Sequence, residues 1–197
     1  MKRKIKYIVL GLLLMAIFTL AMMKSPEEIA AMLSNVTSEL TAFSVFVHVI
    51  FLAVMATGLM LKKTRNFMFF SFIAFLSLSA TAVSIKYIII PNIIIFATIF
   101  ALIMIAYFRK ELNFNFEDIT PVNKYVGIAG LVFGFWYLHW VESPIWLNAF
   151  LYSPLGSVNC PTLLTISAFP CLTAKPRSVL LESMVAIITP YFGFLAS

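Results

Sequence analysis

Residues 66–108 read NFMFFSFIAFLSLSATAVSIKYIIIPNIIIFATIFALIMIAYF, and this stretch decides the fold class. A helix rises about 1.5 Å per residue, so the run would extend about 60 Å, twice the roughly 30 Å of bilayer hydrocarbon. Lys86 and Pro91 interrupt it near the middle, where a chain turning back at a membrane surface would place a charge and a helix-starting proline. A helical hairpin is therefore expected, with arms over 66–84 and 88–108. In the first arm Ser77, Thr81 and Ser84 share one face, a pattern of small polar residues that lets a neighbouring helix approach closely. The second arm carries few polar residues and is expected to face lipid or a partner.

The same arithmetic extends to the whole chain. Of its 197 residues 62% are hydrophobic and 11% charged, with a mean hydropathy of +1.01, against about 45–50% and about 25% in soluble domains. This composition predicts an all-α, polytopic transmembrane helical bundle of about seven spans, at 7–23, 41–61, 66–84, 88–108, 125–141, 158–173 and 178–196. Residues 1–197 then form a single domain with the lipid bilayer as its main partner. The run at 7–23, with Thr19 and Ala21 near its end, has features of a signal peptide; because Met1 begins the chain, it is read as a retained first helix.

The net charge of +6 reports topology rather than nucleic acid, because the basic residues sit in short clusters between apolar runs. Lys2, Arg3, Lys4, Lys6, Lys62, Lys63, Arg65, Arg109, Lys110, Lys124, Lys175 and Arg177 all fall on one side of the seven-span scheme, and only Lys24 and Lys86 fall on the other. By the positive-inside rule the amino terminus is cytoplasmic and the carboxyl terminus external. Ser25-Pro26-Glu27-Glu28 has a capping serine and a proline at the first helical position, predicting a short extramembrane helix to about Leu33. The sequon at Asn35 is a three-residue pattern that chance supplies readily. The polar segment after Arg109-Lys110, ELNFNFEDITPVNK, is expected to be a solvated connector.

Reactive residue types concentrate in 139–171, HWVESPIWLNAFLYSPLGSVNCPTLLTISAFPC. On the predicted topology His48, His139, Glu142, Cys160 and Thr162 lie towards the outer face, as do Met22 and Met23, and they form the candidate binding site. Imidazole and thiolate suit a soft metal at His48, His139 and Cys160, and paired histidines on different helices suit haem. His139 and Glu142 are three apart, so the carboxylate can orient the ring or simply end the helix at the interface. Glu182 is the candidate intramembrane charge, within reach of Lys175 or Arg177. Cys160 and Cys171 are separated by about 16 Å of helix and cannot pair with each other. The amides before Pro161, with Thr162 and Thr165 below them, offer a place for an anion or polar solute.

Pro154, Gly156, Cys160, Pro161 and Thr162, preceded by an aromatic helix and followed by Lys-Pro-Arg and a last span, resemble a family of small polytopic prokaryotic membrane proteins of unknown function. The resemblance covers about the last 75 residues. It departs at Leu163, where the family tends to have a second threonine, and it implies a place in the prokaryotic cell membrane but no activity. No nucleotide-binding motif or catalytic set is present, so the leading expectation is a non-enzymatic accessory subunit or binding component of a membrane complex, beside other membrane subunits. The alternatives are a transporter or channel for a small solute or soft metal ion, and a haem-binding redox protein.

Overall fold

The computed structural model describes residues 26–137, 152–175 and 177–195, together with 10, 11 and 13. Among them the ordered elements are helices: α1 (Pro26–Glu39), α2 (Thr41–Met60), α3 (Arg65–Lys86), α4 (Ile90–Phe108), α5 (Pro121–Phe135), α6 (Asn159–Cys171) and α7 (Val179–Leu195). Three of these, α2, α3 and α4, are long and apolar enough to cross a membrane. α1 runs beyond the expected Leu33 because its last turn is anchored. Val36 is buried in a cluster with Val158, Leu40, Val83 and Tyr87, and Glu39 accepts from Lys86 Nζ at 2.7 Å and from the Tyr87 hydroxyl at 2.6 Å. The Lys86 bond, then the Tyr87 bond, hold the Glu39 carboxyl below the usual carboxylate range.

The hairpin of 66–108 forms as expected, with its turn at 87–89. The Ile89 N–H donates back to Ser84 O at 2.8 Å, and Ile88 takes φ 55°, the left-handed residue that commonly ends a helix and is usually glycine. Ser77, Thr81 and Ser84 are buried, and their hydroxyls donate to the carbonyls of Ile73, Ser77 and Ala80, four residues back. Bonds of this kind hide the hydroxyl against its own helix and leave the surface free for packing. The second arm departs from expectation. Asn92, Ile95, Phe96, Ile99, Leu102, Ile103 and Ala106 of α4 are buried, packed on α3 and α7, so one face of this helix is core.

At the opposite end the connections meet. Arg65, at the start of α3, is buried and closes the carboxyl end of α2: Nε donates to Gly58 O at 2.6 Å and Nη2 to Leu59 O at 3.2 Å. Free carbonyls at a helix end attract a cation, and a guanidinium satisfies several at once. The same guanidinium lies 4.6 Å from the Phe116 ring centroid. The expected solvated connector is corrected in part: Lys110, Glu117, Asp118 and Thr120 are exposed, but its apolar side chains pack inward. Leu112, Phe114 and Ile119 are buried, and Phe114 meets Phe69 and Phe169 edge-on at 5.2 and 5.9 Å. Leu112, Phe114 and Phe116 alternate with polar residues, a period of two that gives an extended segment one apolar side. The Ala174 N–H donates to Asn113 O at 2.6 Å, and Lys62 pairs with Glu117 at 2.8 Å. Lys62, Lys63, Arg65, Arg109, Lys110, Lys124, Lys175 and Arg177 thus share one end of the bundle, called here the basic end.

α5 begins earlier than the expected 125 because Thr120 accepts from the Asn123 N–H and Pro121 takes the first turn. It packs closely and antiparallel on α6 through three glycines. A Cβ at Gly127 would strike Leu172, one at Gly130 would lie 2.9 Å from Ala168 Cβ, and one at Gly134 would collide with Thr165 Oγ1 and crowd the Thr165 amide and the Pro161 carbonyl. Small residues at this spacing let helix backbones touch. Gly134→Ala is expected to destabilise the protein by about 1–3 kcal/mol, the range for overpacking, and by more than Gly130→Ala, since it meets backbone as well as side chain. Ile88→Gly is expected to do the reverse, stabilising by about 1 kcal/mol through relief of the left-handed strain on a β-branched residue. Reversible unfolding in mixed micelles, followed by helicity, measures all three.

Candidate functional site

His139 and Glu142 lie outside the described residues, as do Met22 and Met23. His48 is fully buried. Its Nδ1 is 2.8 Å from Ser44 O, one turn back on α2, and its Nε2 is 3.0 Å from Phe135 O. Phe135 ends α5, and His48 Nε2 lies within hydrogen-bond distance of its carbonyl oxygen. Both ring nitrogens face carbonyl oxygens, and the ring stacks obliquely on Phe135 with centroids 4.6 Å apart. To bind a metal or haem iron, either nitrogen of His48 would have to turn from the carbonyl it now faces.

Residues 153–158 connect to α6 without being helical, yet Ser153, Leu155, Gly156, Ser157 and Val158 are all buried. Gly156 takes φ 81°, and a Cβ there would lie 3.2 Å from Ser79 Oγ and 3.4 Å from Val47. Ser79 is seven residues from the end of α3 and Val47 six from the start of α2, so this backbone sits about 10 Å in from the helix ends. At such depth each polar backbone group needs a partner, and the partners are side chains. The Gly156 N–H donates to Thr162 Oγ1 at 2.8 Å, Thr162 donates to Val158 O at 2.6 Å, Ser79 donates to Gly156 O at 2.9 Å, and Ser153 Oγ accepts from the Tyr137 N–H at 3.3 Å. Asn159, opening α6, exchanges two amide bonds with Asn92 of α4, at 2.6 and 2.9 Å. Cys160 follows it, half-buried, and both cysteines are free thiols.

This network engages the groups that the sequence offered to a solute. Thr162 is already bonded on both sides, and Thr165 is buried against Gly134, its hydroxyl without a hydrogen-bond partner among the described residues. His48, Cys160 and Thr162 belong to one region, but His48 and Thr162 act there as structural bonds. Among the described residues no group of three or more His, Cys, Asp or Glu is placed to hold a metal.

Glu182 has a different setting. It lies in the first turn of α7 on a cleft of about 380 Å³ bounded by α5, α6 and α7 and lined by Asn123, Ser167, Cys171, Arg177 and Thr189 with Pro170, Val185 and Ala186. Thr189 is ten residues along α7, so the cleft reaches about 15 Å from the basic end into the bundle. Arg177 Nε stands 3.9 Å from Glu182 Oε1, an ion-pair distance too long for a hydrogen bond. With its amide oxygen turned to the guanidinium, Asn123 accepts from Arg177 Nη1 and Nη2 at 2.9 and 3.0 Å. Arg177 Nε and Glu182 Oε1 are both buried and have no hydrogen-bond partner among the described residues. Deeper in, the Ser167 and Thr189 hydroxyls bond each other, and the Cys171 thiol donates to Ser167 O at 3.7 Å. Reach to Glu182 singled out Arg177 in the sequence; Asn123, more than fifty residues away, carried no signal of its own.

Neither protein-family models nor curated proteins nor solved structures match this chain. The two threonines of α6 separate structural from free hydroxyls. Thr162→Val should lower the unfolding free energy by about 1–3 kcal/mol, because it orphans a buried amide and carbonyl. Thr165→Val should be neutral or stabilising within about 0.5 kcal/mol, because the hydroxyl it removes bonds nothing among the described residues. Equal losses in micelle unfolding would contradict the assigned bonds.

Proposed function

We propose that this chain is a seven-span, non-enzymatic protein of the prokaryotic cell membrane, amino terminus cytoplasmic and carboxyl terminus external. It binds a small polar solute in the Arg177–Glu182 cleft as the binding component of a larger membrane complex. The observation that carries this is an ion pair whose two residues line one cavity while Arg177 Nε and Glu182 Oε1 have no hydrogen-bond partner among the described residues. Arg177 Nε offers a donor, Glu182 Oε1 an acceptor, and 3.9 Å separates them. A buried polar group left unpaired costs about 1–3 kcal/mol, and a solute bearing both an acceptor and a donor would satisfy the two together. The facing charges cancel, which favours a neutral or zwitterionic solute over an ion of either sign. A cleft of 380 Å³ lies at the small end of ligand sites, which run from about 300 to 1,000 Å³. On the predicted orientation its mouth is cytoplasmic.

A second reading, transport of the same solute, is favoured by the buried non-helical segment before α6 and the end of α5 at Phe135. Helices that stop inside a bundle are a recurring feature of transporters.

Cys171 lines the cleft and serves as the reporter. In a Cys160→Ser background, a small methanethiosulfonate reagent should label Cys171, and at least one of urea, acetamide, glycerol, glycine and glycine betaine should slow the labelling several-fold. Glu182→Gln should remove that protection. Labelling unaffected by the whole panel would sink the proposal, whereas protection accompanied by solute uptake into proteoliposomes would select the transport reading.

A further inference from the structure

A second cleft, of about 520 Å³, lies between α2 and α5 and has no part in the solute site. The two helices meet where Phe51 and His48 contact the Phe135 ring, with centroids 4.9 and 4.6 Å apart. Towards the basic end they part. Met55 and Leu59 of α2 face Ile128 and Leu131 of α5, and every lining side chain is apolar or aromatic except Lys124. Lys124 stands in the first turn of α5, exposed, and has no ion pair among the described residues, whereas Lys62 at the same end is paired with Glu117.

We infer that this cleft seats one anionic phospholipid, its acyl chain along the α2–α5 wall and its phosphate on Lys124. Three considerations select that occupant. Apolar cavities stay dry, so water does not fill it. From Phe135 to Lys124 the cleft spans about 16 Å, apolar along that whole length. A single extended hydrocarbon chain matches a trough of that length and lining. The charge pattern then chooses the headgroup: the lining contains one lysine and no carboxylate, the α5 amino terminus adds positive dipole, and the surrounding connections carry the chain's basic clusters. An anionic phosphate at the membrane surface supplies the missing counter-charge while its tail remains at hydrocarbon depth.

The test is native mass spectrometry of the full-length protein, delipidated in detergent and then offered phosphatidylglycerol and phosphatidylcholine with identical acyl chains. One phosphatidylglycerol should be retained with a preference of about fivefold over phosphatidylcholine, the factor that a single lysine at an anionic surface contributes. Lys124→Glu should abolish the preference and Lys63→Glu, the same charge change elsewhere at the basic end, should preserve it. Ile128→Trp, at an exposed cleft position where folding is not threatened, should cut retention of both lipids by filling the space. Equal retention of the two lipids by the wild type, equal effects of Lys124→Glu and Lys63→Glu, or retention untouched by Ile128→Trp would each overturn the assignment.

Discussion

Hydrocarbon supplies no hydrogen bonds, so a chain that interrupts its helices inside a membrane must satisfy the freed backbone groups from its own side chains. Much of this protein's polar inventory answers that demand. His48 closes the carboxyl end of α5 at Phe135, Thr162 serves the Gly156 amide and the Val158 carbonyl, and Ser79 reaches across from α3 to Gly156 O. Asn92 and Asn159 satisfy each other across two helices. The Ser79 and Thr162 bonds fix where 153–158 sits, while the His48 and Asn92–Asn159 contacts join the helices around it. Residue types that suggest chemistry when read along the chain therefore act here as structure.

With the breaks held, α5 and α6 behave as one antiparallel unit, because the stripe of Gly127, Gly130 and Gly134 leaves no gap for side chains to slide in. The unit has two unlike flanks. Against α2 it leaves an apolar cleft, and against α7 a polar one. Both open towards the basic end, where Arg65 ties the end of α2 to the connection carrying Phe114 and Phe116. The glycines account for this asymmetry: a tight α5–α6 seam places free volume on the outer sides of the pair rather than within it.

The helical hairpin of 66–108 was legible in the sequence because length alone forbids a single crossing there, and the packing face of Ser77, Thr81 and Ser84 followed from helical spacing. The start of α5 was written in Thr120-Pro121 as cap and first-turn proline, but the lysine at 124 and the aromatic run after 130 drew the expected span towards 125–141. The inward packing of Leu112 and Phe114 in the 109–120 connection was encoded in the alternation of Leu112, Phe114 and Phe116, a weak signal beside its many polar residues. What could not be read was partnership at a distance. Nothing local to Asn92 names Asn159, and nothing local to His48 names the Phe135 carbonyl, since both contacts exist only after the helices are packed. Likewise Glu182 was visible as a charge in an apolar run, whereas its separation from Arg177 depends on Asn123, far away on α5.

That separation distinguishes the Arg177–Glu182 pair from an ordinary ion pair. Left to themselves, a guanidinium and a carboxylate close to about 2.8 Å, where the charge-assisted bond is strongest. Here the Asn123 oxygen holds Nη1 and Nη2, Asn123 is fixed in the first turn of α5, and α5 is locked to α6 by its glycines. Glu182 is fixed in turn by the first turn of α7, whose amide donates to Ser178 O. With the Asn123 amide oxygen turned to it, the guanidinium is drawn towards α5, away from the Glu182 carboxylate at 3.9 Å. A donor and an acceptor on residues lining one cavity, held short of a hydrogen bond, are what the proposed solute would bridge.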